Sequence, residues 1–82
     1  TGVGISMAAN KVRGIRAACC SDAFSAEMTR LHNDANMLCL GGRVVTPEKA
    51  IELVDIFLDT PFSGEERHAR RIAQITELEN RF

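Results

Sequence analysis

Tryptophan and tyrosine are absent from these 82 residues, and phenylalanine occurs only four times. Proteins that hold single-stranded nucleic acid stack bases on aromatic faces, so nucleic acid is not an expected partner. Charge of one sign is also missing. Ten Lys and Arg stand against eleven Asp and Glu, a formal net charge of -1, which gives no global attraction to a polyanion. No apolar run approaches the roughly 18 residues of a membrane span. No charged stretch followed by an apolar one marks a signal peptide, so a membrane partner is not expected. Cysteine is sparse and odd in number, at Cys19, Cys20 and Cys39. The adjacent pair is poor disulfide geometry, and the spacing matches no metal site. These residues read as reduced, buried thiols in a cytosolic protein. Two histidines without a carboxylate at ligand spacing predict no metal site, and no cofactor motif is present.

What is present is the composition of an ordinary globular domain, 45% hydrophobic and 26% charged. Eighty-two residues allow one domain with a marginal core. The small residues from about Gly4 to Val12 suit a helix, broken by Gly14. IRAACC (15–20) suits a buried strand. Ser21 and Asp22 can cap a helix with Phe24, Met28 and Leu31 on one face, ending near HNDAN (32–36). MLCL (37–40) suits an inner parallel strand, ended by Gly41 and Gly42. Thr46, Pro47 and Glu48 start a third helix, with Ile51, Val54 and Phe57 or Leu58 as its apolar stripe and Pro61 beyond its end. A last amphipathic helix begins near Glu65 and Glu66 and carries Ile72, Ile75, Leu78 and Phe82.

Strands alternating with helices predict a parallel sheet with helical cover. Two strands make a poor sheet, and the leading glycine loop should follow a strand. The expected fold is therefore the C-terminal half of a doubly wound, Rossmann-like, three-layer α/β/α domain. Residues 1–82 form a partial domain of one glycine loop, two strands and four helices, with the N-terminal strands and helices outside this chain. The open sheet edge must be covered by further chain or a partner.

Ligands bind such sheets beyond the carboxyl ends of the strands. Two features fall there by connectivity. The loop Thr1–Gly4 aims backbone N–H groups from a helix start, and Gly2 and Gly4 leave room for a ligand. It is either a plain tight turn or an oxyanion loop. Arg43, after the second strand, offers a forked guanidinium for phosphate, or is a solvated charge. His32 follows a helix and falls near the opposite edge. It is a helix-dipole partner, or it serves the loop of a neighbouring subunit. Arg67 and Arg71 in RHARR (67–71) share a helix face beside His68. They form a solvated surface or, facing Arg43, an anion clamp.

Taken together, TGVG, NK-x-x-GIRAA, HNDAN, G-x-RV and RH-x-x-R resemble the sugar-phosphate isomerases of the ribose-5-phosphate isomerase B type (RpiB/LacA/LacB). The likeness spans nearly all of the chain. It implies a metal-independent aldose–ketose isomerase that interconverts ribose 5-phosphate and ribulose 5-phosphate through a cis-enediolate. The resemblance gives Gly2 and Gly4 to the oxyanion loop and Thr1 to ring opening or proton movement. It gives His32 to opening of the furanose ring, Asn33 to sugar contact, and Arg43, Arg67 and Arg71 to the phosphate. It implies a homodimer or dimer of dimers with shared sites, and a base upstream of Thr1. The 82 residues alone are therefore expected to lack turnover. Other readings are a silent phosphosugar-binding module, or an isomerase for allose or galactose 6-phosphate. Where relatives read GGRH, this chain reads GEERH (64–68), which bears on phosphate binding.

Overall fold

The structure is a computed structural model that describes all 82 residues. The elements are α1 (Val3–Ala9), β1 (Ala17–Cys19), α2 (Ala23–Asn33), β2 (Met37–Cys39), α3 (Pro47–Asp59) and α4 (Glu66–Arg81). β1 and β2 pair in parallel, with Ala17 opposite Met37 and Cys19 opposite Cys39. Parallel neighbours need a crossover, and α2 supplies it. This is the architecture of a partial α/β domain.

The helix starts follow from local chemistry. Asp22 accepts from the Ser25 backbone N–H at 2.8 Å and caps α2. Thr46 Oγ1 accepts from the Lys49 N–H at 3.1 Å, with Pro47 in the first turn of α3. The first helix is shorter than the expected 4–12, ending at Ala9. The cause is Asn10. Its side-chain amide accepts from the Ala17 N–H at 2.8 Å and donates to the Ala17 carbonyl at 3.0 Å. That side chain stands beside β1 as a neighbouring strand would. Asn36 makes a second clamp, accepting from the Arg16 N–H and donating to the Gly14 carbonyl, each at 2.8 Å.

The buried cluster is small: Cys20, Ala26 and Leu53, with Ala18, Leu38, Leu40, Val45 and Ile56 packed around it. Two expected apolar stripes are displaced. On α3 the buried residue is Leu53, while Ile51, Val54 and Leu58 are exposed. On α2 it is Ala26, and Phe24 is 72% exposed. A small residue at 26 lets α2 lie close to α3, a contact that phenylalanine at the same place would hold apart. Cys19 also departs from expectation, since it is exposed while Cys20 and Cys39 are buried. Along α4, Ile75, Leu78 and Phe82 are exposed as well. No helix is long and apolar enough to cross a membrane.

Candidate active site

The predicted site residues fall into two groups at opposite edges of the sheet. The first group lies at the carboxyl edge. Gly2 has φ +88°, and a Cβ there would stand 2.8 Å from the Leu40 carbonyl carbon and 3.1 Å from Cys19 Sγ. Gly41 likewise has no room for a Cβ, which would overlap the Thr1 backbone. Only glycines at both places let the loop seat against the ends of β1 and β2. The Cys19 thiol adds a 3.6 Å contact to the Thr1 carbonyl, and Thr1 Oγ1 accepts from the Val3 N–H at 3.4 Å.

Gly4 differs from Gly2. It sits in the first turn of α1 with nothing within 4 Å of a Cβ position. The packing within these 82 residues does not require glycine here. Arg43 stands at the same edge, in a turn where the Val44 and Val45 N–H groups donate to the Gly41 carbonyl. It is exposed.

The second group lies at the amino edge. α2 delivers His32 and Asn33 there, and its end is pinned to the start of β1. Arg16 donates to the Asn33 carbonyl at 3.3 Å and to the Asp34 carbonyl at 2.8 Å. Asp34 takes the left-handed cap position (φ 46°) and accepts from Arg30 Nη1 at 2.8 Å. Arg30 also donates to the Ala35 and Thr60 carbonyls, which ties the end of α3 to this edge. The Ser63 N–H donates to the Leu31 carbonyl at 3.0 Å, which brings the start of α4 beside His32. His68, in the first turn of α4, then stacks on His32 with ring centroids 4.3 Å apart and planes tilted by 34°.

Electrostatics at this edge centre on His68 and Glu65. His68 is buried, and burial holds its imidazole below the usual histidine range. The neighbouring His32, Arg67 and Arg71 push the same way, and Glu65 opposes them. Glu65 Oε2 accepts from Arg67 Nε at 2.8 Å, which lowers its carboxyl below the usual range. Arg67 is therefore engaged by the acid that precedes it, while Arg71 is exposed. The 13 residues of α3 run between the two edges. At roughly 1.5 Å per residue α3 spans about 20 Å, with Arg43 before its start and α4 after its end. Within one chain Arg67 and Arg71 therefore do not face Arg43, because each crossover helix carries the chain to the other edge.

Residues 1–75 match the sequence model of the family described as Ribose/Galactose Isomerase. The chain belongs to this isomerase family. It is similar to ribose-5-phosphate isomerase B of Escherichia coli, 51% identical over 99% of this chain and 54% of that protein. It is also similar to a putative sugar phosphate isomerase of Bacillus subtilis, 49% identical over 99% of this chain and 54% of that protein. Among solved structures, it superposes on type B ribose 5-phosphate isomerase from Trypanosoma cruzi with a TM-score of 0.98. That match has 52% identity and covers the whole of this chain and 55% of that one. Ribose-5-phosphate isomerase B from Mycoplasma genitalium with bound ribulose 5-phosphate gives a TM-score of 0.95 at 46% identity, over all of this chain and 53% of that one. The chain spans about half the length of the curated relatives it matches.

Within the isomerase motifs, structural and chemical residues separate. Asn10, Arg16, Asp34 and Asn36 are consumed in holding turns and strand ends. The side chains of His32, Asn33, Arg43 and Arg71 make no hydrogen bond or ion pair within the chain. The Cys20 and Cys39 thiols are raised by burial, which keeps them protonated and unreactive. No three His, Cys, Asp or Glu side chains gather closely enough to hold a metal ion. Sequence reasoning left out Ser63 and gave His68 no role. The available signal was a hydroxyl five residues ahead of a histidine at a helix start.

Proposed function

We propose that the protein carrying this chain interconverts ribose 5-phosphate and ribulose 5-phosphate through a cis-enediolate, without a metal. Family membership supports the reaction class, and a relative at 46% identity is described with ribulose 5-phosphate bound. The observation that carries the reading on this chain is Gly4, a helical glycine with open space where a side chain would be. Glycine there costs a helix about 1 kcal/mol relative to alanine, and no contact within these 82 residues offsets that cost. A substrate oxygen seated against the amides of this turn does.

Removing a proton beside a carbonyl builds negative charge on oxygen, and amides already aimed at it lower the barrier. The Gly4 and Ile5 N–H groups, at the start of α1, have no acceptor inside the chain. In this reading they face the enediolate oxygen, with Gly2 shaping the loop and Thr1 assisting proton movement. His32 opens the furanose ring by proton transfer, and Asn33 contacts the sugar. Arg43, Arg67 and Arg71 hold the phosphate, whose binding energy orients a sugar that reacts elsewhere. The base falls before Thr1, so none of the 82 residues takes that role and the chain alone gives no turnover.

A loop at one edge of the sheet and a histidine at the other fit one site when two copies meet. A homodimer is the proposed unit, with each site taking its loop from one copy and His32 from the other. The direct assay is ribose 5-phosphate turnover by the full-length protein in the presence of a chelator. Undiminished turnover is expected. Turnover of allose or galactose 6-phosphate in place of ribose 5-phosphate would overturn the substrate assignment.

A further inference from the structure

The His32 ring makes no hydrogen bond within the chain, so its orientation depends on what packs against it. The ring it meets is His68, whose Nδ1 lies 2.9 Å from Ser63 Oγ. Ser63 is itself anchored twice. Its backbone N–H donates to the Leu31 carbonyl, one residue before His32, and its Oγ accepts from the Glu65 N–H at 3.2 Å. A hydroxyl that accepts from an amide keeps its own proton to donate, and His68 Nδ1 is in reach of it at 2.9 Å, with Glu65 Oε2 at 3.8 Å from the same nitrogen. A donated bond at Nδ1 places the imidazole proton on Nε2. The charged and titratable groups around His68 are His32 on α2, Arg67 and Arg71 on α4, and Glu65 ahead of it. Three of these four, together with burial, favour the neutral ring that this bond requires.

We propose that Ser63 is a positioning residue. Its hydroxyl fixes His68 as the Nε2–H tautomer and holds that ring against His32, giving His32 one orientation for opening the sugar ring. The assignment rests on the isomerase reading above. It adds a residue outside the motifs and a role that acts only through His68.

The test is nitrogen NMR of histidine-labelled full-length protein, read beside ribose 5-phosphate kinetics for Ser63→Ala and Ser63→Thr. The wild-type protein should show His68 with its proton on Nε2. Ser63→Ala should give mixed tautomers and a kcat lower by roughly three- to tenfold, the effect of one hydrogen bond. Its KM should stay within about twofold, since phosphate contacts are untouched. Ser63→Thr keeps the hydroxyl and should restore both signals. A wild-type His68 protonated on Nδ1 would overturn the proposal, as would an alanine variant with unchanged tautomer and unchanged kcat. The tautomer reading needs no turnover. A protein with the predicted tautomers but no ribose 5-phosphate activity would therefore sink the functional reading and leave the Ser63–His68 bond standing.

Discussion

Gly2 and Gly4 stand two residues apart and are glycine for different reasons. Gly2 is required by the fold, through its positive φ and the closeness of Leu40. Gly2→Ala should destabilise the protein by about 2–3 kcal/mol, read as a lower urea midpoint. Gly4 is open, so Gly4→Ala should gain up to about 1 kcal/mol of stability. The same variant should lose roughly tenfold or more in kcat, because its methyl group stands where the substrate oxygen approaches. Full activity in a stabilised Gly4→Ala protein would remove the loop from the site. Glu65 supplies a second test at this scale. It occupies Arg67 in the free protein. Glu65→Gln should tighten binding of inorganic phosphate by about two- to fivefold, a modest gain because the exposed pair is screened by solvent. Calorimetric titration checks it, and unchanged affinity would mean that Arg67 does not hold phosphate. His68 gives a pH dependence. Its pKa is depressed in the folded state, whereas the unfolded chain binds that proton near pH 6.5. Stability linked to His68 is therefore complete above about pH 6.5 and declines as the pH falls below it. Urea midpoints from pH 7.5 to 5 should show this slope, and His68→Asn should flatten it.

At the scale of elements, helix starts and strand order were legible because they depend on a few neighbouring residues. Asp22, Thr46 and Pro47 cap or open their helices as read, and the parallel alternation follows from element order. The apolar stripes were not legible. α3 carries two apolar faces, one with Leu53 and Ile56 and one with Ile51, Val54 and Leu58. Periodicity alone does not say which face meets the sheet. The end of α1 is not legible locally, because the residue that ends it acts at long range, through the bonds from Asn10 to Ala17. Of the site, the motif residues were legible from their resemblance. The Ser63–His68 bond was not, since it depends on how the α3–α4 connection folds back on α2. The burial difference on α3 has a direct consequence. Leu53→Ala should cost about 2–5 kcal/mol, as for a fully buried leucine. Leu58→Ala, at 74% exposure, should cost less than Leu53→Ala. Equal losses at the two positions would mean that further packing covers the outer face of α3.

For the whole molecule, 7 of 82 residues are buried, and large apolar side chains stand exposed on all four helices. Such a chain has more apolar surface than its own core uses. Its relatives are about twice as long, so much of that surface has candidate cover in the other half of the protein. The two edges of the sheet carry different groups. The glycine loop and Arg43 stand at one, while His32, Arg67 and Arg71 stand at the other, and the proposed site joins them between two copies. Mixing subunits is the most direct test. Full-length His32→Ala and Gly4→Val proteins should each be inactive. Unfolded together and refolded in equal amounts, they should form mixed dimers in which one site has an intact loop and an intact His32. Random pairing then predicts recovery of about a quarter of wild-type ribose 5-phosphate turnover. If the mixed dimers form and turnover stays at the level of the inactive parents, the two edges do not meet between copies.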